Sequence, residues 1–216
     1  MIPSSLSPRK ILLVRHGRTD WNAEHRFQGR SDVPLNAEGL IQAEKTAKRL
    51  AACALDAVYT SPLSRALRTA EAVAAPHEKL PVVLNGLTEV HFGSWEGCLI
   101  KTIREREPDS FRRWLDNPFI HAPEGAELWD SILSRAEGTA AAILDSPHRS
   151  IAVVAHGGTL RALLVALLGF APRLAWNVRL SNCSLSGIEV RDGQTYLAFA
   201  NDDLHLRYEN AALPVW

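Results

Sequence analysis

Two short stretches end alike: Val14-Arg15-His16-Gly17 and Ala155-His156-Gly157-Gly158. Each follows a continuous, β-branched apolar run, Ile11 to Val14 and Ile151 to Ala155. Such runs suit strands buried on both faces. In open α/β sheets, ligands bind beyond the carboxyl ends of the strands, so both histidines are expected to face one crevice. Glycine beside each histidine lets backbone N–H groups approach a ligand closely. A helix expected from Thr159 adds unpaired N–H donors and a positive dipole end. Arg15 precedes the first histidine, and Arg65 opens a helix after the second expected strand. Guanidinium groups bind phosphate oxygens through paired, charge-assisted hydrogen bonds. Two histidines, two arginines and a helix N-terminus together form a candidate site for a phosphoryl dianion. One histidine at a strand end, or one arginine, is more often structural or a solvated charge. The pairing on two central strands carries the reading.

The elements around these residues alternate. After the first strand, Asn36 reads as a helix N-cap, with Leu40, Ala43, Ala47, Leu50 and Ala54 at helical spacing. Ala57 to Thr60 reads as a strand, and Ser61 and Pro62 as the opening of a helix through Val73. Strand, helix, strand, helix points to a mostly parallel sheet. Residues 87–147 read as a helical insertion capping that sheet, within a single domain spanning 1–216, and residues 1–9 as a loose arm. A helix from Thr159 to Leu168 stops at Gly169. Leu185 to Arg191 and Thr195 to Ala200 flank Asp192-Gly193, a hairpin signal that makes one strand antiparallel.

With 216 residues the chain fits one domain, and 46% hydrophobic with 22% charged residues argues against disorder. Twenty-four basic residues face twenty-four acidic ones, so no bulk charge draws the chain to nucleic acid or an anionic membrane. The charges from Lys101 to Arg113 alternate in sign and read as a solvated helical face. Ala162 to Ala171 is far shorter than the ~20 residues of a membrane span. Met1 to Lys10 lacks the apolar core of a signal peptide. Cys53, Cys98 and Cys183 form no CxxC pair and no disulfide framework, so a reducing, cytoplasmic setting is expected. His25, His91, His121 and His205 lack metal-ligand spacing. Trp95, Trp114 and Trp129 fit a pocket wall and a packed core equally well. Neither a GxxxxGK[ST] loop nor a GxSxG elbow is present.

Five ordered motifs resemble the histidine phosphatase, or phosphoglycerate mutase-like, superfamily. They are Leu13 to Asn22 with its continuation Arg26 to Leu35, Ser61 to Ala66, Thr88 to Gly97, Val154 to Gly158, and Asn201 to Leu206. The resemblance implies a three-layer α/β/α sandwich, mostly parallel with one antiparallel strand. It implies His16 as the nucleophile that becomes a phosphohistidine, with Arg15, Arg65 and His156 holding the phosphoryl oxygens. Glu89 would protonate the leaving alkoxide and then activate water. Asn22 would donate through its amide, Thr19 would lie in the phosphate-facing loop, and Gln28, Gly29 and Gly157 would contact substrate. No metal or cofactor is implied.

The activity expected from this resemblance is hydrolysis of a small phosphorylated metabolite. The chain is similar to the small phosphatases, including α-ribazole phosphatase and broad-specificity types. The alternatives are a cofactor-dependent phosphoglycerate mutase and a non-catalytic phosphate-binding module. Val90 stands where such mutases carry an arginine for a substrate carboxylate. Arg18 stands where relatives often have an acidic or amide residue, and Pro123 to Glu127 lacks a serine found in many. A homodimer is compatible with the resemblance, and no nucleic-acid or membrane partner is expected.

Overall fold

Ile11, Leu12, Leu13 and Val14 alternate between two cores, and that alternation fixes the middle layer of the fold. The computed structural model describes residues 8–118, 120–208 and Leu213. Its strands are β1 (Arg9–Arg15), β2 (Ala57–Thr60), β3 (Val82–Val83), β4 (Ser150–Ala155), β5 (Leu185–Arg191) and β6 (Gln194–Asp202). They form one sheet in the order β3-β2-β4-β1-β5-β6. All neighbours are parallel except at β5, which runs against both β1 and β6. Asp192 and Gly193 join β5 to β6 with φ of 52° and 75°, the left-handed pair a tight hairpin turn requires.

The helices are α1 (Asp20–Ala23), α2 (Ala37–Leu50), α3 (Ser64–Ala74), α4 (Ile100–Arg106), α5 (Pro108–Asp116), α6 (Trp129–Asp145), α7 (Gly157–Leu168), α8 (Pro172–Asn177) and α9 (Leu204–Arg207). Helices α6 and α7 cover one face of the sheet, meeting Ile11, Leu13, Ile151 and Val153. Helices α2 and α3 cover the other, meeting Leu12, Val14, Val58 and Val154. This is the expected α/β/α sandwich with one antiparallel strand.

Several boundaries differ from expectation for local reasons. Asn36 caps α2, its Oδ1 accepting from Gly39 N–H at 2.9 Å, but the helix ends at Leu50, leaving Ala54 outside. Helix α3 begins at Ser64 instead of Ser61. Its first turn is capped from a distance, because Asp32 Oδ1 accepts from Ser64 N–H and Oγ–H, both at 2.8 Å. Arg9 is not part of a loose arm. It opens β1, and its guanidinium donates to the carbonyls of Ile143, Leu144 and Ser146 at the carboxyl end of α6. Met1 to Ser7 lie outside the described residues.

The 87–147 stretch does not act as one cap. Ile132, Ala136, Ala140 and Ile143 place α6 within the sandwich itself. Only the part before α6 builds a separate core, from Trp95, Ile103, Phe111 and Trp114 with Phe27 from the loop after α1. Edge strand β3 was not foreseen; both its valines are exposed. No helix among the described residues is long and apolar enough to cross a membrane.

Candidate active site

Strands β1 and β4 lie side by side in parallel with Arg15 opposite Ala155, so each strand end delivers a histidine to the same edge. His16 N–H continues the ladder, donating to Ala155 O at 2.9 Å. The two buried rings have centroids 5.1 Å apart and are tilted by 56°. His16 Nδ1 lies 2.7 Å from the Gly17 carbonyl oxygen. A carbonyl only accepts, so Nδ1 carries the proton and Nε2 keeps its lone pair. Asn182 Nδ2 donates to His16 O at 3.0 Å and to Asn22 Oδ1 at 3.1 Å, tying the loop after β1 to α1.

Burial, then the Arg65 and Arg15 cations, hold the His16 pKa well below the ordinary 6.5. Burial, then Arg65, His16 and Arg15, do the same at His156. The His16 ring is therefore unprotonated at neutral pH. Stability carries the same signature. Below about pH 6.5 the unfolded chain protonates these rings while the fold does not. The unfolded state then binds more protons, so stability falls as pH drops toward the folded values. Denaturant midpoints taken from about pH 7 to about pH 5 without substrate should fall steadily; a flat profile contradicts neutral buried rings.

Arg65, the second residue of α3, donates to Ser31 O at 2.9 Å and Gly29 O at 2.7 Å. Arg15 Nη1 donates to Leu180 O at 2.6 Å. Arg161, one turn into α7 from Gly157, donates to Gly157 O and Val178 O, both at 3.0 Å. Carbonyls thus anchor the outer nitrogens. The Nε of all three arginines, and His156 Nδ1, are buried with no hydrogen-bond partner among the described residues. His156 Nε2 is engaged by Ser61 Oγ at 2.7 Å. An unsatisfied buried polar group costs about 1–3 kcal/mol, so such a cluster points to a bound group rather than to folding. Burial lowers the pKa of all three arginines, that of Arg161 to about 10, and leaves them cationic at neutral pH.

Glu89 lies at the N-terminus of α7. Its Oε1 accepts from Val90 N–H and Thr159 N–H, each at 2.9 Å, and from Thr159 Oγ–H at 3.1 Å. Its Oε2 accepts from Gly158 N–H at 3.2 Å. A Cβ at Gly158 would sit 2.8 Å from Oε1, which is why this turn of α7 carries glycine. The helix dipole and these donors fix the carboxylate beside the arginines.

The loop that anchors Arg65 is itself anchored by Glu96. This carboxylate accepts from the N–H groups of Arg30 (2.9 Å), Ser31 (3.1 Å) and Phe92 (3.1 Å) and from Ser31 Oγ–H (2.9 Å). Gly29 has φ of +54°, and a Cβ there would lie 1.8 Å from Glu96 Oε1. Gly29→Ala is therefore expected to destabilise the fold by about 1–3 kcal/mol. It should also lower phosphatase kcat/KM by displacing the Gly29 carbonyl from Arg65. Unchanged melting and unchanged turnover would contradict this linkage.

A cleft of about 160 Å³ gathers Arg15, His16, Asn22, Gln28, Gly29, Arg65, Glu89 and Gly157 from the expected set. His156 lies fully buried beside His16. Thr19, like His156, has no exposed surface and is not among the residues that line the cleft. Its hydroxyl caps α1 at Asn22 N–H and donates to Gln28 Oε1 at 2.9 Å, so it positions two cleft residues. Arg26, Phe27, Phe92, Trp114, Gly158, Arg161 and Trp176 also line the cleft. Arg161 could have been read from its place four residues after Gly157, on the same helix face. Trp176 and Asn182 carry no local signal. A wider hollow of about 400 Å³ beside Trp95 and Glu107 is lined by neither His16 nor His156, nor by Arg15, Arg65 or Arg161. Among the described residues, no group of three or more His, Cys, Asp and Glu could hold a metal ion.

A model of the histidine phosphatase superfamily, branch 1, matches residues 11–203, a span holding both histidines, Arg65 and Glu89. The chain belongs to the histidine phosphatase superfamily. Within it, phosphoserine phosphatase 1 of Hydrogenobacter thermophilus is 31% identical over 198 residues, covering 91% of this chain and 94% of that one. The solved structure of YhfR from Bacillus stearothermophilus superposes with a TM-score of 0.82 at 34% identity, covering 91% of this chain and 98% of its own. The α-ribazole phosphatase of Shigella flexneri superposes with a TM-score of 0.79 at 26% identity, covering 89% and 96%. With superfamily membership over nearly the whole chain and relatives named as phosphatases, the chain is a histidine phosphatase.

Proposed function

We propose that the chain is a metal-independent phosphomonoesterase that hydrolyses a small phosphorylated metabolite through a phosphohistidine on His16. The observation that carries this reading is the set of buried Nε–H donors of Arg15, Arg65 and Arg161 and the buried His156 Nδ1, all without a hydrogen-bond partner among the described residues, around an imidazole whose Nε2 lone pair is free. A phosphoryl dianion supplies the missing acceptors.

In the first step His16 Nε2 attacks phosphorus, the ester P–O bond breaks, and Glu89 gives a proton to the leaving oxygen. In the second, Glu89 takes a proton from water as the water oxygen attacks phosphorus and the N–P bond breaks. The arginines hold the equatorial oxygens through both steps, and fixed charge of this kind provides most of the acceleration in phosphoryl transfer. Asn22 Oδ1 is occupied by Asn182 and Thr19, which leaves its amino group as the donor toward the cleft. Gln28 Oε1 is likewise held by Thr19. The free thiols Cys53, Cys98 and Cys183 fit a reducing, cytoplasmic setting.

The test is phosphate release from small phosphomonoesters with a chelator present and His16→Ala as control. Full activity with the chelator and its loss in the variant support the reading. Interconversion of phosphoglycerate isomers without phosphate release would mark a mutase instead. Binding of inorganic vanadate without turnover of any ester would mark a binding module.

A further inference from the structure

His16 follows the end of a central strand and Arg65 stands in the first turn of a helix, but Glu89 has no such support. It lies in residues 88–92, irregular chain between two short 3₁₀ turns, Asn85–Leu87 and Gly93–Trp95. A proton-transfer group on irregular backbone needs neighbours that fix it, because small displacements are costly in rate.

Those neighbours are ionic. Arg135, in the second turn of α6, donates through Nη1 to Gly86 O at 2.8 Å and to Thr88 O at 2.7 Å. Arg30, in the loop that anchors Arg65, donates through Nε to Glu89 O at 3.3 Å. The carbonyls of both peptide units that meet at the Glu89 Cα are therefore held by arginines. One carboxylate joins the two. Glu127 accepts from Arg135 Nε at 2.8 Å and Nη2 at 3.0 Å, and its Oε1 lies 3.0 Å from Arg30 Nη2. It also accepts from His91 N–H at 3.4 Å, while its own N–H donates to His91 O at 2.9 Å.

Fold stability alone does not call for this arrangement. The Glu127 side chain is 7% exposed and that of Arg135 17%. Withdrawing such a pair from water is unfavourable, and well-packed apolar side chains in its place are often neutral or stabilising. An apolar pair could not supply the hydrogen bonds that fix the Gly86 and Thr88 carbonyls. Arg30, Glu127 and Arg135 are not among the residues that line the cleft, so any effect on the reaction passes through Glu89.

Resting on the phosphatase reading above, we propose that Glu127 and Arg135, together with Arg30, are positioning residues for Glu89. They fix the backbone from which its carboxyl reaches the leaving oxygen.

The experiment compares kcat/KM for ethyl phosphate and p-nitrophenyl phosphate in wild type and in the apolar double variant Glu127→Leu/Arg135→Met. Ethoxide needs a proton to leave and nitrophenolate does not, so the ratio of the two reports where the acid stands. In the double variant kcat/KM for ethyl phosphate is expected to fall about 10–100-fold, with that for p-nitrophenyl phosphate nearly unchanged. The same two substitutions in a Glu89→Gln background should leave the ratio where Glu89→Gln alone puts it. If the double variant does not fold, Glu127→Gln, which keeps the shape of the side chain, is read by the same ratio. Equal losses on both esters, no loss on either, or a further change in the ratio on top of Glu89→Gln overturns the proposal and leaves the phosphatase reading standing. Phosphate release from neither ester by wild type, or a His16→Ala variant as active as wild type, overturns the phosphatase reading and this proposal with it.

Discussion

His16→Ala should lower kcat for phosphate release by roughly 10⁴-fold or more, the scale seen when a covalent nucleophile is removed. The replacement takes away the only protein atom in the account that bonds to phosphorus. It leaves Arg15, Arg65 and Arg161 anchored by carbonyl oxygens that do not depend on the imidazole. The cradle should therefore persist, and the variant should still bind phosphate or vanadate while turnover is lost. Calorimetric binding together with stopped-time phosphate release checks both halves. Loss of binding alongside activity would show that the ring is needed to assemble the cradle. Retained activity would show that the ring is not the nucleophile.

Glu89→Gln carries the second large effect, about 10²–10⁴-fold in kcat for alkyl esters, the usual worth of a placed acid and base. The amide keeps the shape but supplies no proton to the alkoxide and takes none from water. It also turns an N–H donor toward the helix N-terminus, where four hydrogen bonds now end on the carboxylate. The loss should depend on the leaving group. A nitrophenolate departs without a proton, so p-nitrophenyl phosphate should still phosphorylate His16 quickly. Only the hydrolytic step should then be slow, giving a burst of one nitrophenolate per active site. A loss of equal size for both ester types, with no burst, would remove Glu89 from its role at the leaving oxygen.

The parts of the fold that could be read from the chain are those in which local chemistry and tertiary role agree. Ile11 to Val14 and Ile151 to Ala155 are continuous apolar runs because both faces of β1 and β4 are covered, and the sheet obeys that pattern. Asp192-Gly193 forms its turn because only such residues accept two left-handed conformations in succession. Strand β3 escaped because it is two residues long and exposed, and offers no burial pattern to find. Residues 87–147 read as one insertion because the stretch is mostly helical and shows no central strand. Yet Ile132, Ala136, Ala140 and Ile143 show the spacing of a helix that packs on a sheet.

The site divides in the same way. His16, His156, Arg15 and Arg65 stand at the ends or beginnings of central elements, where residue type and position point to one place. A threonine before a helix can cap it or face a ligand; Thr19 caps α1 and also holds Gln28, a contact that its position in the chain does not display. Trp176, Asn182 and Ser61 act through contacts between distant segments, which a single chain does not display.

The central claim is a covalent bond between His16 and phosphorus. Rapid-quench trapping with a ³²P-labelled alkyl phosphomonoester tests it most directly, followed by peptide mapping under alkaline conditions that preserve N–P bonds. The account predicts label on the peptide holding His16, stable to base and lost in acid, absent from His16→Ala and enriched in Glu89→Gln when p-nitrophenyl phosphate is the donor. Label on any other residue, or turnover that continues with no label trapped at any time point, would contradict it.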